Sequence, residues 1–219
     1  MTHLANSFEQ AIARFYSESE LEKLQNVVVG ILGAGGLGSN CAVNLVRSGV
    51  RHFILADYDV VDMSNLNRQY YFPCHVGQYK VEALKEILTT INPNASVTAY
   101  TNKISASNIL SLYETADILI EAFDNVESKS LFLDSTMILD KPKIMVSGLA
   151  GIGDSDALKT QRLGRDLYVI GDQCSDVSDA NPYAPRVSIA AAKQADVVLS
   201  IVLAVSYTHL RAHETGAYL

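Results

Sequence analysis

Cysteine is scarce in this 219-residue chain, and its placement excludes more than its number does. Cys41, Cys74 and Cys174 are odd in count, far apart and never part of a C-x-x-C pair. A disulfide framework is not expected, and a four-cysteine zinc site is impossible within the chain. Long apolar runs are missing too. No stretch of about 18 apolar residues is present to span a membrane. The opening residues, MTHLANSFEQAIARF, lack the basic start and apolar core of a secretory signal, so the expected location is cytoplasmic. Positive charge is in deficit: 17 Lys and Arg stand against 24 Asp and Glu, a net charge of −7. A broad nucleic-acid footprint needs a basic face, so nucleic acid is not an expected partner; a local basic pocket stays open.

What is present reads as one α/β domain with a short appendage. Ser7 to Gln25 has the pattern of one amphipathic helix or two short ones, with Ser17 or Ser19 as an inner cap. Val27 to Leu32 is a short β-branched apolar run, which fits a buried parallel strand. GAGGLGSN follows, from Gly33 to Asn40. A helix then runs to about Ser48 and stops at Gly49. Phe53 to Ala56 is the second strand, completing a βαβ unit. Gln78 to Ile91 carries Val81, Leu84, Leu88 and Ile91 at helical spacing, and Asn92-Pro93 ends it. Strand Ser96–Tyr100, short helix Ser107–Glu114, strand Ile118–Ala122, helix Val126–Leu139 and strand Lys143–Ser147 follow in turn. This alternation predicts a doubly wound, Rossmann-like, mostly parallel sheet.

After Gly148 the pattern changes. Leu158 to Gly171 reads as two strands joined at Leu163-Gly164, an antiparallel extension of the sheet. Asp172 to Arg186 is a polar loop of the length that is usually functional or mobile. Val187 to Ala204 is an apolar helix. The expected divisions are therefore a helical segment over 1–26, the main domain over 27–204 and a tail over 205–219. The tail contains SYTHLRAHET, which resembles sequencing-adapter read-through, so it is expected to be non-native or disordered.

The chemistry concentrates between Leu55 and Gln69, LADYDVVDMSNLNRQ. A core element would not carry so many polar groups, because each needs a partner once buried. Upstream, Gly33, Gly35 and Gly38 spell G-x-G-x-x-G between a strand and a helix. Backbone N–H groups there can meet a phosphate, and Gly36 allows close approach of the chain. The motif alone does not choose between a dinucleotide and ATP. Asp57 ends the second strand nineteen residues after Gly38, where a carboxylate accepts from ribose hydroxyls. Asp59 and Asp62 read as turn and solvent-facing residues.

Arg68 and Lys80 discriminate between the ligands. A nicotinamide cofactor undergoes no phosphate chemistry and needs no such cations after the second strand. Nucleotidyl transfer does, because charge shifts within the triphosphate as pyrophosphate leaves. Arg68 would fork onto phosphate oxygens and Lys80 would act as a point charge. Lys80 also falls in the first turn of its helix, where the dipole disfavours a cation. Asp124 lies just past a buried strand, on the ligand edge of an open sheet, and can hold Mg²⁺ against phosphates. Asn125 beside it is a good helix cap.

These residues together resemble the ThiF/MoeB family, relatives of ubiquitin-activating enzymes that adenylate small sulfur-carrier proteins. The likeness rests on Gly33 to Gly38, the D-x-D-x-V-x-x-S-N-L-x-R-Q pattern from Asp57 to Gln69, Lys80 in G-x-x-K, and Asp124-Asn125. It runs from about Val27 to Asn125 and more loosely to Ala204. The resemblance implies ATP and Mg²⁺, a ubiquitin-like sulfur carrier ending in Gly-Gly, an acyl-adenylate product and a homodimer. It implies ATP contacts at Gly36, Asp57, Ser64, Asn65, Leu66, Asn67, Arg68 and Asn125, phosphate contact at Lys80 and a metal at Asp124. An N-terminal arginine that reaches the neighbouring subunit would be Arg14, the only arginine before the first strand. Many members carry paired C-x-x-C zinc ligands; this chain has none, so no zinc is expected. Some use a loop cysteine to take the carrier's acyl group, and Cys174 lies in such a loop. Three other readings compete. One is a tRNA threonylcarbamoyladenosine dehydratase of the same fold. The second is a nicotinamide-dependent oxidoreductase, under which the Asn65–Arg68 cluster is unexplained. The third is a binding-only pseudoenzyme, against which the intact ATP residues argue.

Overall fold

The computed structural model describes residues 6–175 and 180–204. Seven strands form one sheet: β1 (Val28–Leu32), β2 (His52–Ala56), β3 (Ser96–Tyr100), β4 (Ile118–Glu121), β5 (Lys143–Val146), β6 (Lys159–Leu163) and β7 (Leu167–Gly171). Their order is β3-β2-β1-β4-β5-β7-β6, and all neighbours are parallel except β6 with β7. The sheet grows outward from β1 to β2 and β3, then returns to the other side of β1 for β4. That reversal opens a crevice beyond the carboxyl ends of β1 and β4, where open α/β sheets bind ligands.

The helices are α1 (Ser7–Ile12), α2 (Glu18–Asn26), α3 (Gly36–Arg47), α4 (Lys80–Ile91), α5 (Ile109–Leu112), α6 (Val126–Thr136) and α7 (Ala184–Val202). Strand alternation sends successive side chains to opposite faces. Val29, Ile31, Phe53 and Leu55 therefore meet Leu24, Leu45, Leu84, Leu88, Val197 and Val198 on the α2–α3–α4–α7 side. Leu32, Ile54, Ala56 and Leu119 meet Ile109, Tyr113 and Phe132 on the α5–α6 side. With both faces covered, the central strands read as continuous apolar runs.

Most elements fall where the sequence places them, and the differences have local causes. The N-terminal segment is two helices, because Ser17 forms a capping box with Glu20 and starts α2 afresh. Ser19 plays no such part. The final helix starts at Ala184, three residues before the expected Val187. Pro185 suits the first helical turn, and Arg186 is drawn inside by Asp172. The loop after β7 is shorter accordingly. Its residues 176–179, and the tail 205–219, lie outside the described residues. Among the described residues no helix is long and apolar enough to cross a membrane.

Candidate nucleotide site

The turn after β1 is built from close approaches. Gly33 has φ +102°, and a Cβ there would lie 2.7 Å from the Ala122 carbonyl oxygen. A Cβ on Gly38 would collide with the Gly33 carbonyl, so both glycines let β1, α3 and the end of β4 converge. At Gly36 the close neighbour is Val187 of α7, whose Cγ1 would be 2.9 Å from an added Cβ. Gly35 occupies the N-cap of α3 and offers no side-chain hydrogen bond. The first turn of α3 therefore keeps backbone N–H groups without a side-chain cap, which favours an anion.

Asp57 ties this turn to β2. Its Oδ2 accepts the Ala34 N–H at 2.7 Å, and its Oδ1 accepts the Asp59 N–H at 2.8 Å. Burial raises the Asp57 pKa, and these two N–H groups and Lys80 oppose the rise. Each oxygen keeps a lone pair for a ribose hydroxyl. Tyr71, which the sequence reading passed over, closes the arrangement from below. Its buried hydroxyl lies 2.6 Å from the Ala34 carbonyl and 3.1 Å from that of Lys80. The signal was a tyrosine beside the polar cluster, since a buried phenol needs a partner.

Lys80 is where the sequence puts it, in the first turn of α4, but it has a protein partner. Its ammonium lies 2.6 Å from Asp59 Oδ2, with the lysine side chain 8% exposed and the aspartate 47%. Asp59 is a turn residue as expected, yet it is paired rather than simply solvated. The backbone enforces the pairing: Lys80 N–H donates to the Asp59 carbonyl, and Val61 N–H to Gln78. The partner offsets the unfavourable dipole.

The segment Met63–Asn67 forms a 3-10 turn. Asp62 caps it, taking the Ser64 N–H at 2.8 Å and the Ser64 hydroxyl at 2.6 Å. Asn65 Oδ1 accepts the Asp62 N–H in return. Leu66 packs on the core, and Asn67 Oδ1 accepts from Arg68 Nη1 at 2.8 Å. Arg68 is pinned through its backbone, because Asn40 Nδ2 bridges the carbonyls of Arg68 and Gly36. Its Cγ would lie 3.6 Å from a Cβ on Gly36, so Arg68 sits beside the glycine turn.

Asp124 and Asn125 follow β4. Asn125 caps α6 by accepting the Ser128 N–H, and its Nδ2 donates to Asp124 Oδ1 at 3.1 Å. The capping duty thus falls to Asn125, and the second oxygen of Asp124 has no role in the cap. Below them Glu121 is fully buried and paired with Lys129 at 2.7 Å. Farther along the same edge, Arg186 holds Asp172 and donates to the carbonyls of Leu149, Gly153 and Asp154. Burial alone would raise the Asp172 pKa; the N–H groups of Ser175 and Cys174 and the Arg186 charge overcome it and hold it near 2. Cys174 is exposed on this edge. The sequence reading missed these two ion pairs; a glutamate inside ILIEA was the available signal for the first.

Arg14 is not brought to the others. It follows α1, which Glu9 fastens to Arg51 at 2.6 Å and to Asn92 and Asn94. Those residues precede β2 and β3, so Glu9 lies at the amino ends of the strands, the opposite ends from Asp57 and Asp124. Five-residue strands separate the two ends by about 16 Å.

Among the described residues no three His, Cys, Asp or Glu side chains gather to hold a metal by themselves. The donor set at Asp124 suits Mg²⁺ arriving with phosphates, which takes one or two carboxylates rather than a protein cage. The fold and this edge define a doubly wound α/β protein with a glycine turn where the central strands end. The chain belongs to the ThiF family, whose model matches residues 8–212. It is 36% identical over 129 residues to the adenylyltransferase and sulfurtransferase MOCS3 of Culex quinquefasciatus, covering 58% of this chain and 29% of that protein. It is 32% identical over 163 residues to the adenylyltransferase and sulfurtransferase UBA4 of Candida glabrata, covering 74% and 36%. The chain thus spans about a third of the length of these relatives. Its fold matches E. coli tRNA N6-threonylcarbamoyladenosine dehydratase, TcdA, solved with AMP, at a TM-score of 0.80 and 20% identity, covering 89% of this chain and 93% of that one. E. coli MccB, solved with AMPCPP and MccA, matches at 0.68 and 24% identity, covering 86% and 59%.

Proposed function

We propose that the chain uses ATP to adenylate the C-terminal glycine carboxylate of a small ubiquitin-like sulfur carrier, releasing pyrophosphate, in thiamine or a related sulfur-transfer synthesis. The observation that supports this is the glycine turn after β1, which abuts Ala122 at the end of β4 through Gly33 and Arg68 through Gly36. The carrier carboxylate attacks the α-phosphorus, the α–β bridge bond breaks, and the electron pair leaves with pyrophosphate. A carboxylate is already ionised at neutral pH, so no general base is needed. Catalysis rests on positioning and charge neutralisation.

Asp57 receives the ribose, and the first turn of α3 receives phosphate. Arg68 and Lys80 meet the charge that grows on the departing pyrophosphate. Asp124, with Asn125 orienting it, would hold Mg²⁺, which when bound supplies charge neutralisation to the phosphates. Ser64, Asn65 and Asn67 shape the turn that presents Arg68. Arg14 would enter the site of a second copy. The names of the curated relatives support the reaction class. Relatives that bear the name sulfurtransferase support a sulfur carrier as the acceptor.

A second reading keeps the ATP site and changes the acceptor to a carboxylate on tRNA. Coverage of 93% of the dehydratase favours it in fold, and a net charge of −7 weighs against it. Mg²⁺-dependent ATP–pyrophosphate exchange tests both. Stimulation by a Gly-Gly carrier is the expected result. Stimulation by tRNA alone overturns the carrier, and tight NAD binding without exchange overturns the reaction class.

A further inference from the structure

We infer that the buried Glu121–Lys129 ion pair is a positioning device for the nucleotide site, wedging β4 from β5 and fixing the turn that carries Asp124. The ladder between these strands holds only Leu119↔Lys143 and Ile120↔Ile144. Past it, Val146 of β5 turns both its N–H and its carbonyl toward β4. No backbone of β4 meets them. Glu121 Oε2 accepts the Val146 N–H at 3.2 Å, and Lys129 Nζ donates to the Val146 carbonyl at 3.0 Å. Two side chains thus stand in for the missing ladder rung.

The same carboxylate sets the next turn. Glu121 Oε1 accepts the Phe123 N–H and the Lys129 ammonium, both at 2.7 Å. Phe123 directly precedes Asp124, and Lys129 sits one turn into the helix that Asn125 caps. The Glu121 carbonyl accepts Gln194 Nε2 from α7 at 2.8 Å. One residue therefore ties β4, β5, α6 and α7 together directly beneath Asp124. Stability alone is a poor reason for such a pair, since buried ion pairs are often matched or bettered by apolar residues. Geometry is the better reason, because groups that orient a metal-binding side chain affect metal affinity without touching the metal. Glu121 and Lys129 are positioning residues, and their role rests on the reading of Asp124 as the Mg²⁺ residue.

The test compares wild type with Asp124→Asn, Glu121→Gln and Lys129→Met. Calorimetry measures ATP binding in EDTA and at rising Mg²⁺. Glu121→Gln and Lys129→Met are expected to leave metal-free ATP binding in place, because the glycine turn and Asp57 are untouched. Their apparent Mg²⁺ affinity in the ATP complex is expected to fall roughly 10–100-fold. Hydrogen exchange on the nucleotide-free protein gives a second readout. In Glu121→Gln the amides of Phe123 and Val146 lose protection while those of β1 keep it. A folded Glu121→Gln protein with the wild-type Mg²⁺ response overturns the inference, provided Asp124→Asn has lost that response. A wild-type response in Asp124→Asn overturns the reading of Asp124, and the inference with it. If Glu121→Gln does not fold, Lys129→Met carries the test, because its side chain is partly exposed and its loss leaves the carboxylate's N–H bonds in place.

Discussion

Lys80 and Asp59 form a contact of 2.6 Å between a nearly buried ammonium and a half-exposed carboxylate. The pair joins the end of β2 to the start of α4 and places a cation two residues along from Asp57. Its energetic value is limited by the exposure of Asp59, since solvent screens such pairs. Asp59→Asn is expected to lower stability by about 1 kcal/mol at most, measured by urea unfolding. Its larger effect is expected on ATP binding. Without its counter-charge the ammonium is no longer held at the strand end, and affinity falls. Unchanged ATP affinity in Asp59→Asn would show that Lys80 reaches the nucleotide without this guide.

Tyr71 gives a cleaner stability prediction. Its hydroxyl serves the carbonyls of Ala34 and Lys80 in a buried setting. Tyr71→Phe keeps the ring and removes the hydroxyl proton, leaving the Ala34 carbonyl without its side-chain donor. The expected cost is about 1–3 kcal/mol, read as a lower urea midpoint with the slope unchanged. Because Ala34 belongs to the glycine turn, ATP affinity should weaken in parallel. A wild-type midpoint would mean that water replaces the hydroxyl.

Acid stability should report on Asp172. Its folded-state pKa is depressed to about 2, against an ordinary aspartate value of about 3.9 in the unfolded chain. A depressed carboxylate contributes stability that is fully present above the unfolded pKa. That stability is lost as pH falls through the folded pKa, so the window is about pH 4 down to pH 2. A shift of this size corresponds to on the order of 2 kcal/mol. Asp172→Asn should flatten the acid limb of the stability curve in that window. Unfolding free energies between pH 2 and 6 for both proteins provide the check; parallel curves would remove Asp172 from the account.

The α/β alternation was legible because each central strand is a short apolar run and each helix has helical spacing or a cap. Gly33, Gly38, Asp57, Arg68 and Asp124 were legible because a local pattern names them. What stayed hidden depends on long-range pairing. Glu121 meets Val146 and Lys129, Arg186 meets Asp172, and Tyr71 meets Ala34, none of which is marked by spacing. Asp59 is the exposed turn residue expected, but its pairing with Lys80 was hidden for the same reason, since that partner lies 21 positions away. The start of α7 moved because a buried ion pair, rather than periodicity, decided it.

Cys174 is exposed, and its N–H rather than its thiol takes part in the Asp172 cluster. Adenylation as proposed uses no thiol. Cys174→Ser should therefore retain formation of the carrier adenylate, detected by mass. Loss of the adenylate in a folded Cys174→Ser protein would place the thiol in the first chemical step.

Arg68 separates ATP chemistry from dinucleotide chemistry. Its backbone carbonyl is fixed to the first turn of α3 through Asn40, and its Cγ lies beside Gly36. Among the described residues only Asn67 takes one of its donors, which leaves the rest of the fork to meet phosphate oxygens. An interaction that strengthens as the α–β bond breaks affects turnover more than substrate binding. Arg68→Ala should cut kcat for carrier-dependent exchange by about 10²–10³, the range for losing one preorganised charge-stabilising donor. ATP affinity should fall less, because Asp57 and the glycine turn still hold the ground state. Direct titration with ATP and with NAD, run beside the exchange assay, completes the measurement. A loss confined to ATP affinity would make Arg68 a ground-state contact. Exchange that survives Arg68→Ala unchanged would leave the reaction class standing and pass the charge-stabilising role to Lys80.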